Sequence, residues 1–169
     1  VIWDIENKKI VEPVLFGHTD TVWSISFSPD GKKLVSGSAD NTIIIWDINS
    51  HEMIGTPIIT SERVYRVTFS SNGDFIVSAG GYVVSIWDVQ SHTIIGQPLR
   101  GHSHVINAVA ISPDDRWIVS GGFDNELFVW DVSSQKLQAK FYRQHGFAIE
   151  SIAFSPDGTT FATGTLNDN

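Results

Sequence analysis

The sequence predicts an all-β chain whose short antiparallel strands gather into repeating four-stranded units. Three observations predict it. Trp-Asp recurs at Trp3-Asp4, Trp46-Asp47, Trp87-Asp88 and Trp130-Asp131, with steps of 43, 41 and 43 residues between successive Trp. A turn signal recurs in the same phase, as Ser28-Pro29-Asp30-Gly31, Ser70-Ser71-Asn72-Gly73, Ser112-Pro113-Asp114-Asp115 and Ser155-Pro156-Asp157-Gly158. Between these markers apolar residues alternate with small polar ones or form short unbroken runs, and no segment carries a helical period.

One unit shows how each strand is read. Val22–Ser28 alternates apolar and small polar residues, the period of a strand. Pro-Asp-Gly then gives a tight turn, because Pro presets φ and Gly accepts positive φ. Lys33–Ser38 is a second strand, Ala39-Asp40-Asn41 a second turn and Thr42–Ile48 a third strand. The unbroken run Ile43-Ile44-Ile45-Trp46 predicts burial on both faces. A fourth strand is expected around Met53–Ile58, with Pro57 where an outer edge tolerates it. Four strands per unit, with the central ones covered on both faces, predict the blades of a β-propeller, since no blade can bury its own faces.

The units run approximately over 1–16 (partial), 17–59, 60–100, 101–144 and 145–169 (partial), forming one propeller region over 1–169. The last and first segments together make about one repeat, so 1–16 can complete the blade begun by 145–169, with the Trp3 strand pairing with Phe161–Thr165. One expectation is a piece of a larger ring. The other is four working units that close alone, or two chains that pair into an eight-bladed ring. Open blade edges would in either case invite self-association.

Composition narrows the function classes. The 169 residues are 41% hydrophobic and 18% charged, and six Trp and ten Phe require a large buried apolar area. A net charge of −8 argues against a nucleic-acid backbone as partner, which needs a clustered Lys/Arg surface. Cysteine is absent, which removes disulfides, thiolate zinc sites and Cys nucleophiles. No apolar run approaches the ~18 residues of a membrane span, so no membrane partner is expected. The N-terminus shows no basic region followed by an apolar stretch, and so no signal peptide.

Gly17-His18, Ser28-Pro29-Asp30-Gly31, Ser36-Gly37-Ser38 with Asp40-Asn41-Thr42, then Trp46-Asp47 resembles the WD-repeat family over essentially the whole chain. The resemblance implies a buried hydrogen-bonded tetrad in each good blade: His18, Ser36, Asp40 and Trp46 in one, His102, Ser120, Asp124 and Trp130 in another. The His-to-Ser, Ser-to-Asp and Asp-to-Trp steps are 18, 4 and 6 residues in both. The unit between them departs from the pattern. Thr60-Ser61 stands where Gly-His should be, Gly80-Gly81 replaces the turn Asp, and only Ser78 and Trp87 remain, so it is expected to be the least stable complete blade. The last unit offers His145, Thr163 and Asn167 or Asp168, and Trp3 is the matching tryptophan of the first.

Other uses of these residues are weaker. His102-Ser103-His104 has ligand-like spacing, but His102 belongs to a tetrad and no third ligand is in view, so no metal and no cofactor are expected. His18, Ser36 and Asp40 could pass for a hydrolase triad, yet their recurrence in another blade argues for architecture and against an enzyme. Candidate partner-binding residues emerge from comparing units. Val22, Val64, Ile106 and Ile149 repeat as framework, whereas the next residue varies: Trp23, Tyr65, Asn107, Glu150. The resemblance puts that position at the narrow top opening, and Arg63 and Phe123 would join its rim. Trp23 and Tyr65 could equally be filling the funnel. The expected role is an intracellular, cytoplasmic scaffold that binds proteins or peptides on its top face. The alternative is a regulatory module of a larger signalling NTPase or kinase-linked protein.

Overall fold

The computed structural model describes residues 1–142 and 146–165, and these contain strands and no helix. A hairpin of β1 (Ile2–Asp4) and β2 (Lys9–Val11) comes first. Blade I follows, with β3 (Val22–Phe27), β4 (Lys33–Ser38), β5 (Thr42–Asp47) and β6 (Ile58–Ile59) paired in that order. Blade II is β7 (Arg66–Phe69), β8 (Phe75–Gly80), β9 (Val83–Asp88) and β10 (Leu99–Arg100). Blade III is β11 (Ile106–Ile111), β12 (Trp117–Gly122), β13 (Glu126–Asp131) and β14 (Lys136–Tyr142). Blade IV is represented by β15 (Ile149–Phe154) and β16 (Phe161–Thr165). Every pairing is antiparallel, as tight turns between consecutive strands require.

The cores lie between blades, not within them. Val35, Ile43, Ile45 and Ile58 of blade I meet Val64, Val67, Phe69 and Ile76 of blade II. Val77, Val84, Ile86 and Leu99 of blade II meet Ile106, Ile118, Phe128 and Trp130 of blade III. Ala108, Val119 and Leu127 of blade III meet Ile149, with Ile152 and Phe154 packed alongside. The Ile43-Ile44-Ile45 run is buried on both faces, as its composition predicts.

Each strand-to-strand turn is wired by its own side chains. In the first bottom turn the Ser28 hydroxyl donates to Asp30 at 2.6 Å and accepts the Lys33 N–H at 2.9 Å, while Gly31 takes a φ of 70°. The Asp that follows each Trp caps the next turn: Asp4, Asp47, Asp88 and Asp131 accept the N–H three residues on at 2.9, 2.8, 2.7 and 2.8 Å. That turn places Lys8, His51, His92 and Gln135 at positive φ.

Two expectations need correction. The fourth strand of blade I is not Met53–Ile58 but Ile58–Ile59, with Met53 making a single bridge to Trp46. Gly55, at a φ of 67°, turns the chain off the ladder, and Pro57 has no N–H to rejoin it. The Trp3 strand does not pair with Phe161–Thr165: β1 pairs with β2, β16 with β15, and Trp3 is largely exposed opposite Ile10. The blades therefore form an arc with one uncovered face on blade I. There Val22, Ile25 and Phe27 are 44%, 59% and 52% exposed, whereas Val64, Val67 and Phe69 at the matching positions of blade II are 2%, 4% and 7% exposed.

Inside blades I and III the four polar residues are joined as one chain of hydrogen bonds. His18 Nε2 lies 2.7 Å from Ser36 Oγ and its Nδ1 3.0 Å from Asp40, while the Trp46 indole donates to Ser36 at 2.8 Å. In blade III the corresponding distances are 2.8 Å for His102 to Ser120, 2.7 Å for His102 to Asp124 and 2.9 Å for Trp130 to Ser120. The network assigns one direction: Nδ1–H donates to the carboxylate, Nε2 accepts the Ser hydroxyl, and the Ser oxygen accepts the indole N–H. In blade II only the Trp87 indole to Ser78 bond remains, at 2.8 Å. His145, Asn167 and Asp168 lie outside the described residues, and Thr163 sits in β16 opposite Ile152.

Burial would raise the Asp40 carboxyl, but hydrogen bonds from Thr42, the Thr19 N–H and His18 outweigh it and hold the group at about 2. Asp124 is lowered against its burial by His102 and backbone N–H groups. A depressed carboxyl stabilises the fold above its unfolded value near 4, and that contribution fades as pH falls towards about 2. Asp40→Asn is therefore expected to lower the urea midpoint at neutral pH and to flatten its fall between about pH 4 and 2. A parallel, undiminished fall would remove Asp40 from the acid response. Trp46→Ala, which deletes a buried ring and takes the indole N–H from the Ser36 oxygen, is expected to cost about 3–5 kcal/mol in urea unfolding. Equal midpoints for variant and wild type would contradict the tetrad.

Candidate functional site

The innermost strand of each blade begins with an irregularity. In β3, β11 and β15 the ladder skips one residue, between Val22 and Ser24, between Ile106 and Ala108, and between Ile149 and Ser151. The skipped residues are Trp23, Asn107 and Glu150. A bulge of this kind leaves one residue unpaired and re-aims its side chain. In blade II the ladder starts at Arg66, and Tyr65 holds the matching place with its N–H on the Ala79 carbonyl. The varying position thus coincides with a backbone device that turns it away from the framework.

The structure joins these four residues in pairs across blade boundaries. The Trp23 and Tyr65 rings lie 5.9 Å apart, tilted, with Trp23 about half exposed. Asn107 Nδ2 donates to Glu150 Oε1 at 2.9 Å. The four inner strands line one axial cleft of about 330 Å³, with Ile25, Val67, Val109 and Ile152 among its walls. Ser24 Oγ donates to the Val67 carbonyl and accepts the Val67 N–H, and Ser26 Oγ accepts the Phe69 N–H, stitching the inner strands of blades I and II along it.

Arg66 is a functional candidate that sequence reasoning missed. It lines the cleft and crosses it, donating to the Tyr65 carbonyl at 2.9 Å and to the Glu150 carbonyl of blade IV at 3.5 Å. The signal was available. The matching residues of the other units are Ser24, Ala108 and Ser151, so a guanidinium stands where its neighbours are small. Arg63, expected on the same rim, instead lines a separate cavity in blade II. In blade II the ladder starts at Arg66 without a register shift, three residues beyond Arg63.

Phe123 lies on a second exposed aromatic cluster. Its ring meets His104 at 5.6 Å, and His104 meets Tyr82 at 6.5 Å, both edge-on. Tyr82 comes from the shortened turn of blade II and was not singled out by the sequence. The two histidines of His102-Ser103-His104 do not converge on a common point. His102 is used by its tetrad, and His104 Nδ1 accepts the Val105 N–H at 2.9 Å. Among the described residues no group of three His, Asp or Glu is placed to hold a metal ion. Lys140 is held by Glu126 at 2.9 Å and lies over the Phe128 and Tyr142 rings. The arrangement offers aromatic, amide, carboxylate and guanidinium groups around a cleft, which suits recognition.

The WD domain, G-beta repeat family matches the chain at residues 11–47, 53–88, 93–131 and 136–169. Retinoblastoma-binding-like protein E of Dictyostelium discoideum is 34% identical over 74 residues, which is 44% of this chain and 14% of that protein. U3 small nucleolar RNA-associated protein 21 of Saccharomyces cerevisiae is 35% identical over 78 residues, 46% of this chain and 8% of that protein. The chain thus spans a small part of the curated relatives it matches. Among solved structures, that of U3-55K superposes with a TM-score of 0.77 at 22% identity, over 83% of this chain and 44% of the other. The RRP9 WD40 repeats give 0.76 at 22% identity, over 83% and 44%. These likenesses show the fold. With its four repeats matched and its sheets those of solved WD40 propellers, the chain belongs to the WD-repeat family of β-propellers.

Proposed function

We propose that the chain is a non-catalytic scaffold that binds a protein or peptide across the mouth of its axial cleft. One observation carries this reading. The residues re-aimed by the inner-strand bulges differ from unit to unit, while the framework around them repeats. Architecture alone would have no use for Trp, Tyr, Asn and Glu at one structural position. Trp, Tyr and Arg are the side chains that anchor interfaces, and here the Trp23 ring lies against Tyr65, whose carbonyl accepts from Arg66, a lining residue of the cleft.

The net charge of −8 supports a protein or peptide partner over a phosphate backbone. Some relatives carry RNA-associated in their names, which describes those proteins. Our proposal puts the role inside the cell, in the cytoplasm, the compartment that the family resemblance implies.

Trp23→Ala and Tyr65→Ala are each expected to lower quantitative partner capture at least about fivefold, the loss for an anchor worth ~1 kcal/mol, with Tm moving by no more than about 2 °C. Large drops in Tm for both would return these rings to a space-filling role.

A second surface supports self-association. The uncovered face of blade I carries Val22, Ile25 and Phe27, positions that the later blades bury or partly bury against their neighbours. We propose that a second copy of the chain covers it. Light scattering on a sizing column is expected to show oligomers that dissociate on dilution or on Phe27→Ser. A monodisperse monomer at about 100 μM, well above micromolar affinity, would overturn this.

A further inference from the structure

Blade II contains a cavity where its neighbours contain a ring. In blades I and III the tetrad imidazole packs beside the Ser hydroxyl, and His102 stacks on Phe128 with centroids 4.1 Å apart. Blade II has neither the imidazole nor the residue that flanks it. Ser85 stands opposite Ser78, where Ile44 and Phe128 stand opposite Ser36 and Ser120. Both loops that would deliver the missing groups are one residue shorter. Trp46 to Ser78 is 32 residues, where Trp3 to Ser36 and Trp87 to Ser120 are 33; Ser78 to Trp87 is 9, where the others are 10. The result is a cavity of about 90 Å³ lined by Ser78, Ser85, Trp87, Glu62 and Arg63. That is the liquid volume of about three waters, and below the ~150 Å³ that holds benzene.

Its polar groups are arranged for a particular shape of guest. Ser78 is buried, and its oxygen accepts the Trp87 indole N–H at 2.8 Å, so its own O–H is left to donate, as Ser36 and Ser120 donate to a histidine nitrogen. The carboxylate of the lost turn Asp has a counterpart. Glu62 lies over Gly81, close enough that a Cβ there would meet its Cγ at 2.8 Å. A hydroxyl donor, Ser78, and an acidic residue, Glu62, therefore line one cavity.

We propose that this cavity binds an imidazole ring, supplied either as a free heterocycle or by a histidine side chain of another molecule. One ring nitrogen accepts the Ser78 O–H, and the opposite N–H faces Glu62. The ring takes the place that blades I and III fill from within. The proposal is independent of the axial cleft.

The test is an NMR titration of the full chain with imidazole at about pH 8, where the ring is mostly neutral. The Trp87 indole N–H resonance is expected to shift and saturate with a Kd of about 1–10 mM, the range that five non-hydrogen atoms can supply. Pyrrole, the same ring without an acceptor nitrogen, is expected to bind at least about fivefold more weakly, the loss for one hydrogen bond. Ser78→Ala, which removes the donating hydroxyl, is expected to weaken binding at least about fivefold, with the Trp46 and Trp130 resonances unchanged as the control for folding. N-acetylhistidine amide giving the same shift would identify a histidine side chain as the source. A response to free imidazole alone would identify a small heterocycle. A shift that never saturates below about 100 mM, or equal binding of pyrrole, would overturn the proposal.

Discussion

A four-stranded sheet has two apolar faces and no means of covering either by itself. That constraint governs the rest of this structure. Val35 and Ile45 are buried only because Val64, Val67 and Ile76 lie against them, and Val84 and Ile86 only because Ile106 and Ile118 do. Stability is then shared along the row of blades, each junction contributing its own buried area. The polar tetrads work within this scheme. They tie the loop that carries the His to the strand and turn that carry the Ser and Asp, and they satisfy a His and an Asp that would otherwise be costly to bury.

Much of this was legible in the residues. The 41–43 residue steps and the repeated turn signals fixed the unit, and Ile43-Ile44-Ile45 announced a strand covered on both sides. The tetrad partners are those that the resemblance to the WD-repeat family implies, and the hydrogen bonds join the same residues. What was not legible has local causes. Gly55 and Pro57 displaced the outer strand, because a left-handed residue and a missing N–H outweigh the apolar run around them. That the β7 ladder starts only at Arg66 could not be seen in a period-two pattern, so Arg63 was chosen where Arg66 occupies the cleft. The Asp after each Trp was read as a motif; its physical work is to cap the turn to the next strand.

The departures from the repeat are as informative as the repeat. Where all units agree, a residue serves packing, as Val22, Val64, Ile106 and Ile149 do. Where one unit differs, the difference is either accommodated or exposed. Blade II has neither the His nor the turn Asp, its two facing loops are each one residue shorter than their counterparts, and it has the Ser78 to Trp87 bond and a β8 buried at all six positions. The cost of the change was confined to the top loops, where Tyr82 and Glu62 now stand.

Asp115 shows the same logic on the opposite side. The other bottom turns have Gly31, Gly73 and Gly158 at positive φ, and Asp115 accepts that conformation at 58°. Its carboxylate takes the Ser71 and Asn72 N–H groups of the preceding turn at 2.7 and 3.0 Å, and the Ser71 hydroxyl reaches the Pro113 carbonyl at 2.6 Å. At the junction of blades III and IV the equivalent approach is Gly158 over Pro113, with no carboxylate. The arc is therefore stiffened unevenly. A mechanical load that bends it would open the bottom turns more readily at the seams without that carboxylate than between blades II and III.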